Sequence, residues 1–181
     1  MEFDAAATKL INSLASKSGT LDLLMVLVAQ WGIVLLVAII ALRWWSKHDR
    51  EIARYVAISC GLATALGLFL NHLLLLFVDR IRPYDRGLTN LIVERSQDPS
   101  FPSDHSTAVF AIAFFLLLRQ DRYAIPFLIA AVLVGFSRIY IGTHYFSDVI
   151  GGAVTAAAAV AIVALLYRKE SWVNRSLVKI L

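Results

Sequence analysis

Residues 21–45 are almost free of charge, and this stretch constrains the fold more than any other feature of the sequence. A run of this length and apolarity is typical of a transmembrane helix. Because 59% of all residues are hydrophobic and only 17% are charged, an ordinary soluble domain is excluded. We predict an all-α integral membrane protein with about five transmembrane helices, forming one domain over residues 1–181. The predicted segments are residues 21–45, 55–78, 105–118, 124–142 and 148–167.

The first 18 residues predict a different kind of helix. Apolar side chains recur there at helical spacing, with polar residues on the other faces. The apolar set is Phe3, Ala7, Leu10, Ile11 and Leu14. This pattern is typical of an amphipathic helix that lies in the membrane interface. Since Glu2 and Asp4 interrupt the start of the chain, we expect no cleavable signal peptide.

The basic residues predict the orientation in the membrane. With five spans, the two chain ends lie on opposite sides. One side would hold Arg43, Lys47, Arg50, Arg54, Arg119, Arg122, Arg168, Lys169, Arg175 and Lys179. The other would hold Lys9, Lys17, Arg80, Arg82, Arg86 and Arg95, with Arg138 near that end of the fourth segment. The positive-inside rule makes the first side cytoplasmic, so the polar loop 79–104 faces outward.

The third segment, residues 105–118, is short for a membrane span. As a helix it would measure ~21 Å, against a hydrocarbon core of ~30 Å. Either its neighbours shield it, or its outer end lies below the membrane surface. Irregular backbone at that depth is tolerated only inside protein or beside a watery cavity. We therefore expect the preceding stretch "DPSFPSDH" to line a recess at the outer surface.

Three polar stretches are predicted to meet on the outer side. They are "RIRPYDRG", "FPSDHS" and "SRIYIGTHYFSD". Polar side chains are costly in a bilayer, and their presence there indicates function. Together the stretches supply two histidines as well as arginine, serine and aspartate side chains. That set suits phosphoryl transfer from a lipid.

His144 and Asp148 are four residues apart, so on a helix their side chains share one face. A carboxylate bonded to one imidazole nitrogen fixes the tautomer and leaves the other nitrogen free to attack. The pair therefore predicts a histidine nucleophile with its orienting acid. An ordinary pair at a helix end is the alternative.

Arg138 is a candidate for holding a phosphate, whereas the Arg-Pro pair at Arg82 indicates little when taken alone. Arg138 lies in the apolar fourth segment, where a permanent positive charge requires an anionic partner, and a phosphate matches its fork geometry. A salt bridge to an acidic residue of the loop is the alternative. Arg82 precedes Pro83, which holds the chain extended at that point.

The start of the third segment is a candidate anion site. Ser103 or Asp104 can serve as the N-cap of the helix, whose exposed N–H groups attract anions. His105 follows in the first turn and can donate a proton to a leaving oxygen. Alone, a capped helix that begins with histidine is more often structural.

The order and spacing of these motifs resemble a known family. "RP", then "PSDH", then "SR" with five residues before His and three more before Asp resemble the three-part signature of the type 2 phosphatidic acid phosphatase family. That family is the membrane branch of the acid phosphatase and vanadium haloperoxidase superfamily. The motifs span residues 82–148 and lie at the ends of predicted helices. The resemblance implies a helical bundle of this type.

The resemblance also implies a role for each residue that matches a motif. His144 would be the nucleophile that forms a phosphohistidine, and Asp148 would orient it. His105 would protonate the leaving group, and Arg82, Ser103 and Arg138 would hold the phosphoryl oxygens. The family uses no metal, so we expect no metal site and no cofactor.

The sequence departs from the family pattern at one position. The first motif usually begins with a lysine seven residues before the arginine, where this chain has Leu75. Arg80 and Arg86 are candidates to replace that contact or to bind a second phosphate. Asn71 can line the cavity or merely bridge two helices. "FPSDH", the short loop, Asn71 and the N-terminal region resemble one subgroup, the bacitracin-resistance type undecaprenyl-pyrophosphate phosphatases.

The resemblance predicts a phosphatase that converts undecaprenyl diphosphate to undecaprenyl phosphate at the outer face of the cytoplasmic membrane. Its partners would be the polyprenyl diphosphate lipid and the bilayer, with no nucleic acid. Phosphatidic acid, phosphatidylglycerophosphate and a lipid A phosphate are alternative substrates, because the motifs do not select the lipid tail. A membrane transporter or scaffold is the non-enzymatic alternative, although the broken and repeated helices of transporters are not apparent.

Overall fold

The computed structural model describes residues 2–45 and 50–167, and within these ranges the fold is entirely helical. A short 3₁₀ turn, Arg43–Trp45, extends the second helix. The six helices are α1 (Glu2–Asn12), α2 (Gly19–Leu42), α3 (Arg50–Leu75), α4 (Asp104–Leu118), α5 (Ala124–Tyr140) and α6 (Phe146–Leu166). The predicted all-α fold is confirmed. Lys47, Arg168, Lys169, Arg175 and Lys179 lie outside the described residues.

Three helical segments are long and apolar enough to cross a membrane, namely Gly19–Trp45, Arg50–Leu75 and Phe146–Leu166. The other two predicted spans form shorter apolar helices of 15 residues in α4 and 17 residues in α5. Helix α3 begins five residues before the predicted segment and ends three residues earlier. The remaining helices begin and end within about two residues of the predicted segments.

Helix α4 is short because it lies at the centre of the bundle. It packs against α3, α5 and α6, and ten of its 15 residues are buried. Neighbouring helices shield it, as the first of the two explanations for its length requires. Gly152 lets α6 approach the start of α4, because a Cβ there would lie 2.7 Å from the Ser103 carbonyl oxygen.

The turn between α5 and α6 is folded tightly against the outer loop. Gly142 has φ +87°, a backbone conformation that side chains other than glycine rarely adopt. A Cβ at this position would lie 2.5 Å from the Asn90 carbonyl oxygen. The turn thus brings His144 directly beneath the polar loop.

Within the described residues, α1 and the end of α6 lie on opposite sides of the bundle. Helix α1 contacts the outer loop and the start of α6. At the other side, the Tyr167 ring after α6 stacks on Tyr55 near the start of α3. An ion pair of 2.8 Å between Arg43 and Asp121 joins the ends of the α2 and α4 regions on that side.

Candidate active site

The three polar stretches meet on one side of the bundle. Ser103 caps α4, His105 lies in its first turn, and His144 lies in the α5–α6 turn. Asp148 belongs to the first turn of α6. Arg82 approaches from the outer loop, with its Nη1 3.5 Å from His144 Nε2. The sequence prediction that these residues form one group is thus met in the structure.

The imidazole of His144 is almost completely buried, and its two nitrogens have different environments. Nδ1 lies 2.9 Å from the Ser100 carbonyl oxygen and 3.5 Å from Asp148 Oδ2. Because a carbonyl oxygen only accepts hydrogen bonds, these contacts assign the proton to Nδ1. The lone pair is then on Nε2, on the side that faces Arg82.

Burial lowers the pKa of His144, and the positive charges of Arg138 and Arg82 lower it further. The hydrogen bond and negative charge of Asp148 act in the opposite direction but do not outweigh the loss of solvation. The ring is therefore neutral, and its Nε2 nucleophilic, down to a lower pH than in an ordinary histidine.

Asp148 is fully buried and serves more than one partner. Its Oδ2 accepts hydrogen bonds from Ser100 Oγ and, at 2.8 Å, from the Tyr145 backbone N–H. Its Oδ1 accepts a hydrogen bond from Arg80. The sequence prediction assigned Asp148 to His144 alone and missed Ser100, which contacts both. Nothing in the spacing of Ser100 distinguishes it from its neighbours in the loop.

The Arg82 side chain is held by neutral partners. Its Nε donates to the Asp98 carbonyl oxygen at 2.8 Å, and its Nη1 donates to the Thr143 carbonyl oxygen at 3.0 Å. These bonds orient the guanidinium without cancelling its charge. A phosphoryl group bound near His144 would therefore meet a fixed, unneutralised cation.

Arg138 has no ion pair or hydrogen bond from its side chain to any part of the chain that the structure describes. Its Nε is buried and unpartnered. The alternative from the sequence, a salt bridge to an acid of the outer loop, is not found among residues 2–45 and 50–167. A half-buried guanidinium with a buried, unpartnered Nε is unfavourable without a counterion, and a bound phosphate would supply the missing anion.

Ser103 and His105 complete the group at the start of α4. Ser103 Oγ accepts hydrogen bonds from the Ser106 backbone N–H and from Ser106 Oγ, so its own proton remains available for an anion. Ser103, not Asp104, is the N-cap. His105 is half-buried and lies within the electrostatic range of Arg138, His144 and Arg82.

The remaining candidate residues have other positions. Arg80 uses both terminal nitrogens for carboxylates, contacting Asp4 at 2.6 Å as well as Asp148, which disfavours the predicted contact with substrate. Arg86 is exposed and close enough to influence Tyr145 electrostatically. Asn71 bridges helices, since its Nδ2 donates to Asp104 Oδ1 at 2.7 Å and to Thr107 Oγ1 at 2.8 Å. Of its two predicted roles, the bridging one is therefore observed.

No cluster of three histidine, cysteine, aspartate or glutamate side chains that could hold a metal ion occurs within residues 2–45 and 50–167. The only acid beside His144 in this part of the chain is Asp148, and its oxygens already accept hydrogen bonds from Ser100, Tyr145 and Arg80. The groups available to a ligand here are the N–H donors of Arg82 and Arg138, the Ser103 hydroxyl and the two histidines. Such a set suits an anionic ligand.

Known proteins are similar to this chain in sequence and in fold. The PAP2 superfamily model matches residues 56–172. Undecaprenyl-diphosphatase BcrC of Bacillus subtilis (strain 168) is 34% identical over 148 residues, which cover 82% of this chain and 76% of that protein. The undecaprenyl-diphosphatase of Sulfolobus acidocaldarius is 33% identical over 153 residues, covering 83% and 71% respectively.

A solved structure is also similar to this chain in fold. The crystal structure of the transmembrane PAP2 type phosphatidylglycerolphosphate phosphatase from Bacillus subtilis superposes with a TM-score of 0.67 at 25% sequence identity. The match covers 92% of this chain and 87% of that one. The three long apolar helices and this transmembrane relative identify a membrane protein. From its motifs, its fold and these relatives, this chain belongs to the PAP2 superfamily.

Proposed function

We propose that this protein hydrolyses undecaprenyl diphosphate to undecaprenyl phosphate and inorganic phosphate at the outer face of the cytoplasmic membrane. The observation that carries the proposal is His144, whose Nδ1 bonds the Ser100 carbonyl while Nε2 faces the unneutralised guanidinium of Arg82. Such a geometry suits nucleophilic attack on a bound phosphoryl group. Two relatives of similar length are undecaprenyl-diphosphatases.

In the first step, His144 Nε2 attacks the terminal phosphorus while the bond to the bridging oxygen breaks. The products are a phosphohistidine and undecaprenyl phosphate, whose leaving oxygen receives a proton from His105. The ring of His144 becomes positively charged in this step, and the carboxylate of Asp148 stabilises that charge. Arg82, Arg138 and Ser103 hold the three oxygens on phosphorus, where negative charge must be stabilised.

In the second step, a water molecule attacks the phosphohistidine on the face that undecaprenyl phosphate has left. His105 accepts the proton of this water, because it gave up its own in the first step. The N–P bond breaks, inorganic phosphate leaves, and His144 returns to its neutral form. No step requires a metal, so excess EDTA should leave most of the activity intact.

An apolar groove beside the site supports a lipid substrate. It has a volume of about 320 Å³ between the end of α3 and α6, and its lining includes Leu70, Leu74, Phe77 and Val154. Leu70 directly precedes Asn71, which bonds Asp104 at the start of α4. A prenyl chain in this groove could remain in the bilayer while its diphosphate enters the site.

The test is a comparison of purified protein on undecaprenyl diphosphate, phosphatidic acid, phosphatidylglycerophosphate and a lipid A phosphate. We expect the highest kcat/KM with undecaprenyl diphosphate, since exposed Arg86 near the site can contact a second phosphate. Arg86→Ala should narrow the difference by weakening the diphosphate reaction. A preference for a glycerophospholipid would contradict the substrate assignment, and no phosphate release from any lipid would favour a transporter or scaffold.

A further inference from the structure

Helix α1 presents a polar stripe to the rest of the protein. Asp4, Thr8 and Asn12 are spaced by four residues and so share one face. Thr8 and Asn12 are buried, whereas Phe3 and Leu10 are exposed. An interfacial helix would be expected to show the protein only a few nonspecific contacts. Here the polar face is the one that makes specific bonds.

The polar stripe of α1 forms hydrogen bonds with both ends of the turn that carries His144. At the end of α5, Asn12 Nδ2 donates to the Tyr140 carbonyl oxygen at 2.8 Å. At the start of α6, the Phe146 N–H donates to Thr8 Oγ1 at 3.0 Å, and the Ser147 N–H donates to Asp4 Oδ1 at 2.8 Å. Side chains of α1 therefore cap α6, because they accept hydrogen bonds from the first two N–H groups of that helix.

Asp4 is also linked to Asp148 through Arg80. Its Oδ2 lies 2.6 Å from Arg80 Nη2, and Arg80 Nη1 bonds Asp148 Oδ1 and, at 2.7 Å, Ser147 Oγ. The Arg80 guanidinium lies over the Tyr145 ring, 3.8 Å from its centroid. Because the planar guanidinium of Arg80 is stacked on a ring and bonded on two sides, it fixes the orientation of the Asp4 and Asp148 carboxylates.

Asp4 remains ionised in this arrangement. Partial burial alone would raise its pKa, but hydrogen bonds from Arg80 and Ser147 outweigh that effect, so the pKa of Asp4 is lowered. Arg80 is thus shared by two negative carboxylates. The Asp148 Oδ2 is held 3.5 Å from His144 Nδ1, which is the position from which it can stabilise a positive charge on that ring.

We propose that Asp4 and Arg80 are positioning residues for phosphoryl transfer, through which the N-terminal helix fixes Asp148 and His144. This proposal rests on the proposed function. Neither residue contacts the reacting phosphorus; Arg80 acts through Asp148, and Asp4 acts through Arg80. The N-terminal helix is accordingly part of the active site as well as a contact with the membrane surface.

The first experiment measures kcat and KM for Arg80→Gln and Asp4→Asn on whichever lipid phosphate the wild-type protein hydrolyses best. Loss of groups that orient a reacting residue typically costs about 10–100-fold. We expect a fall in kcat of about 100-fold for Arg80→Gln and about 10-fold for Asp4→Asn, with KM nearly unchanged. Arg43→Gln is the matched control, because it breaks a partly buried ion pair on the opposite side of the bundle.

The second experiment needs no turnover. Imidazole ¹⁵N NMR of the purified protein in detergent follows the titration of His144, assigned with His144→Asn. The charged or titratable groups that face His144 are Arg82 from the loop, Arg138 from α5, His105 from α4 and Asp148 from α6. Removing the Arg80 cation should raise the His144 midpoint, and removing the Asp4 anion should lower it. Arg43→Gln should leave it unchanged.

Each result decides the proposal. Opposite shifts of the midpoint together with losses in kcat support it. An increase in KM alone for Arg80→Gln would make Arg80 a substrate contact, and an unchanged kcat would remove both residues from catalysis. Loss of kcat with a lower Tm and an unmoved midpoint would make the pair merely structural. If the wild type fails only with undecaprenyl diphosphate, the proposed substrate is wrong, but the positioning role is still measured.

Discussion

At the scale of single residues, the partner of His144 Nδ1 determines which nitrogen can attack phosphorus. The Ser100 carbonyl oxygen lies closer to Nδ1 than Asp148 does, at 2.9 Å against 3.5 Å. The carbonyl alone can thus hold the tautomer, because it only accepts a hydrogen bond. Asp148 is left with a different task, which is to stabilise the positive ring after attack. The two tasks can be separated by mutation.

We predict that His144→Ala abolishes turnover, whereas Asp148→Asn lowers kcat by less than the ~10⁴-fold that follows loss of a triad carboxylate and leaves measurable activity. In the second variant Ser100 still orients the ring, but the charge that stabilises the imidazolium is lost. Since Asp148 raises the pKa of His144, the acid limb of kcat/KM should also move to lower pH in Asp148→Asn. Pre-steady-state assays and pH profiles measure both effects. If His144→Ala and Asp148→Asn were both well folded and equally inactive, the Ser100 carbonyl would not be sufficient to orient the His144 ring.

Arg138 provides a second residue-scale prediction. Its side chain makes no bond to the described part of the chain, and its Nε is buried, so the cation is unfavourable without ligand. Arg138→Met should raise the free energy of unfolding by on the order of 1 kcal/mol and lower kcat/KM by about 10²–10³-fold. Thermal unfolding of the wild type and of Arg138→Met, each with and without vanadate, measures the change in stability and the contribution of Arg138 to anion binding. Vanadate should raise the Tm of the wild type only, and equal stabilisation of the variant would contradict an anion site at Arg138.

The residues that sequence reasoning found are those whose chemistry is unusual for their surroundings. Arg138 lies in an apolar segment and His144 and Asp148 lie next to one, and the order and spacing of the motifs were enough to group these residues. Ser100 and Asp4 could not be found in this way. Ser100 acts through its backbone carbonyl, which any residue has, and Asp4 is joined to Asp148 only through the long-range contact with Arg80.

At the scale of helices, the predicted segments agree well with the structure because membrane helices are bounded by charge and proline. The face that each helix buries was harder to predict. In α1 the apolar residues Phe3 and Leu10 face outward, and Thr8 and Asn12 are buried. Hydrophobic periodicity identifies the two faces of such a helix, but it does not say which face meets protein when lipid is the alternative.

The groove between α3 and α6 gives a prediction for whole elements. Val154 of α6 lines it and is 64% exposed. Val154→Trp should fill the groove and raise KM for undecaprenyl diphosphate about tenfold, since ~2 buried methylene groups of the prenyl chain would lose their contacts. The KM for a short-chain diphosphate such as farnesyl diphosphate should change little. These constants are measured in detergent micelles at fixed detergent concentration.

Ile129→Trp is the matched control for this prediction. Ile129 is also 64% exposed on an apolar helix, but it does not line the groove. Ile129→Trp should leave the KM for undecaprenyl diphosphate and the KM for farnesyl diphosphate near those of the wild type. Equal effects of the two tryptophan variants, or an equal loss with the short-chain substrate, would contradict a prenyl chain in the groove.

At the scale of the whole molecule, the site and α1 lie together at one side of the bundle, and the Arg43–Asp121 pair lies at the other. The distribution of basic residues is the basis for assigning these two sides. Basic residues at the second side include Arg50, Arg54, Arg119 and Arg122 within the described part of the chain. From the positive-inside rule we expect these residues on the cytoplasmic side and the site on the outer side.

We therefore predict that a membrane-impermeant thiol reagent labels Glu94→Cys in intact cells, or in spheroplasts if the cells have an outer membrane, but does not label Arg122→Cys. Both positions are exposed, one in the outer loop and one in the α4–α5 turn, whereas the native Cys60 is buried and should give little background. Both variants should be labelled after permeabilisation, which controls for access to the thiol. Because the prenyl diphosphate must reach His144 from the side on which it is hydrolysed, the reverse pattern would place the reaction in the cytoplasm and leave the chemistry of the site unchanged.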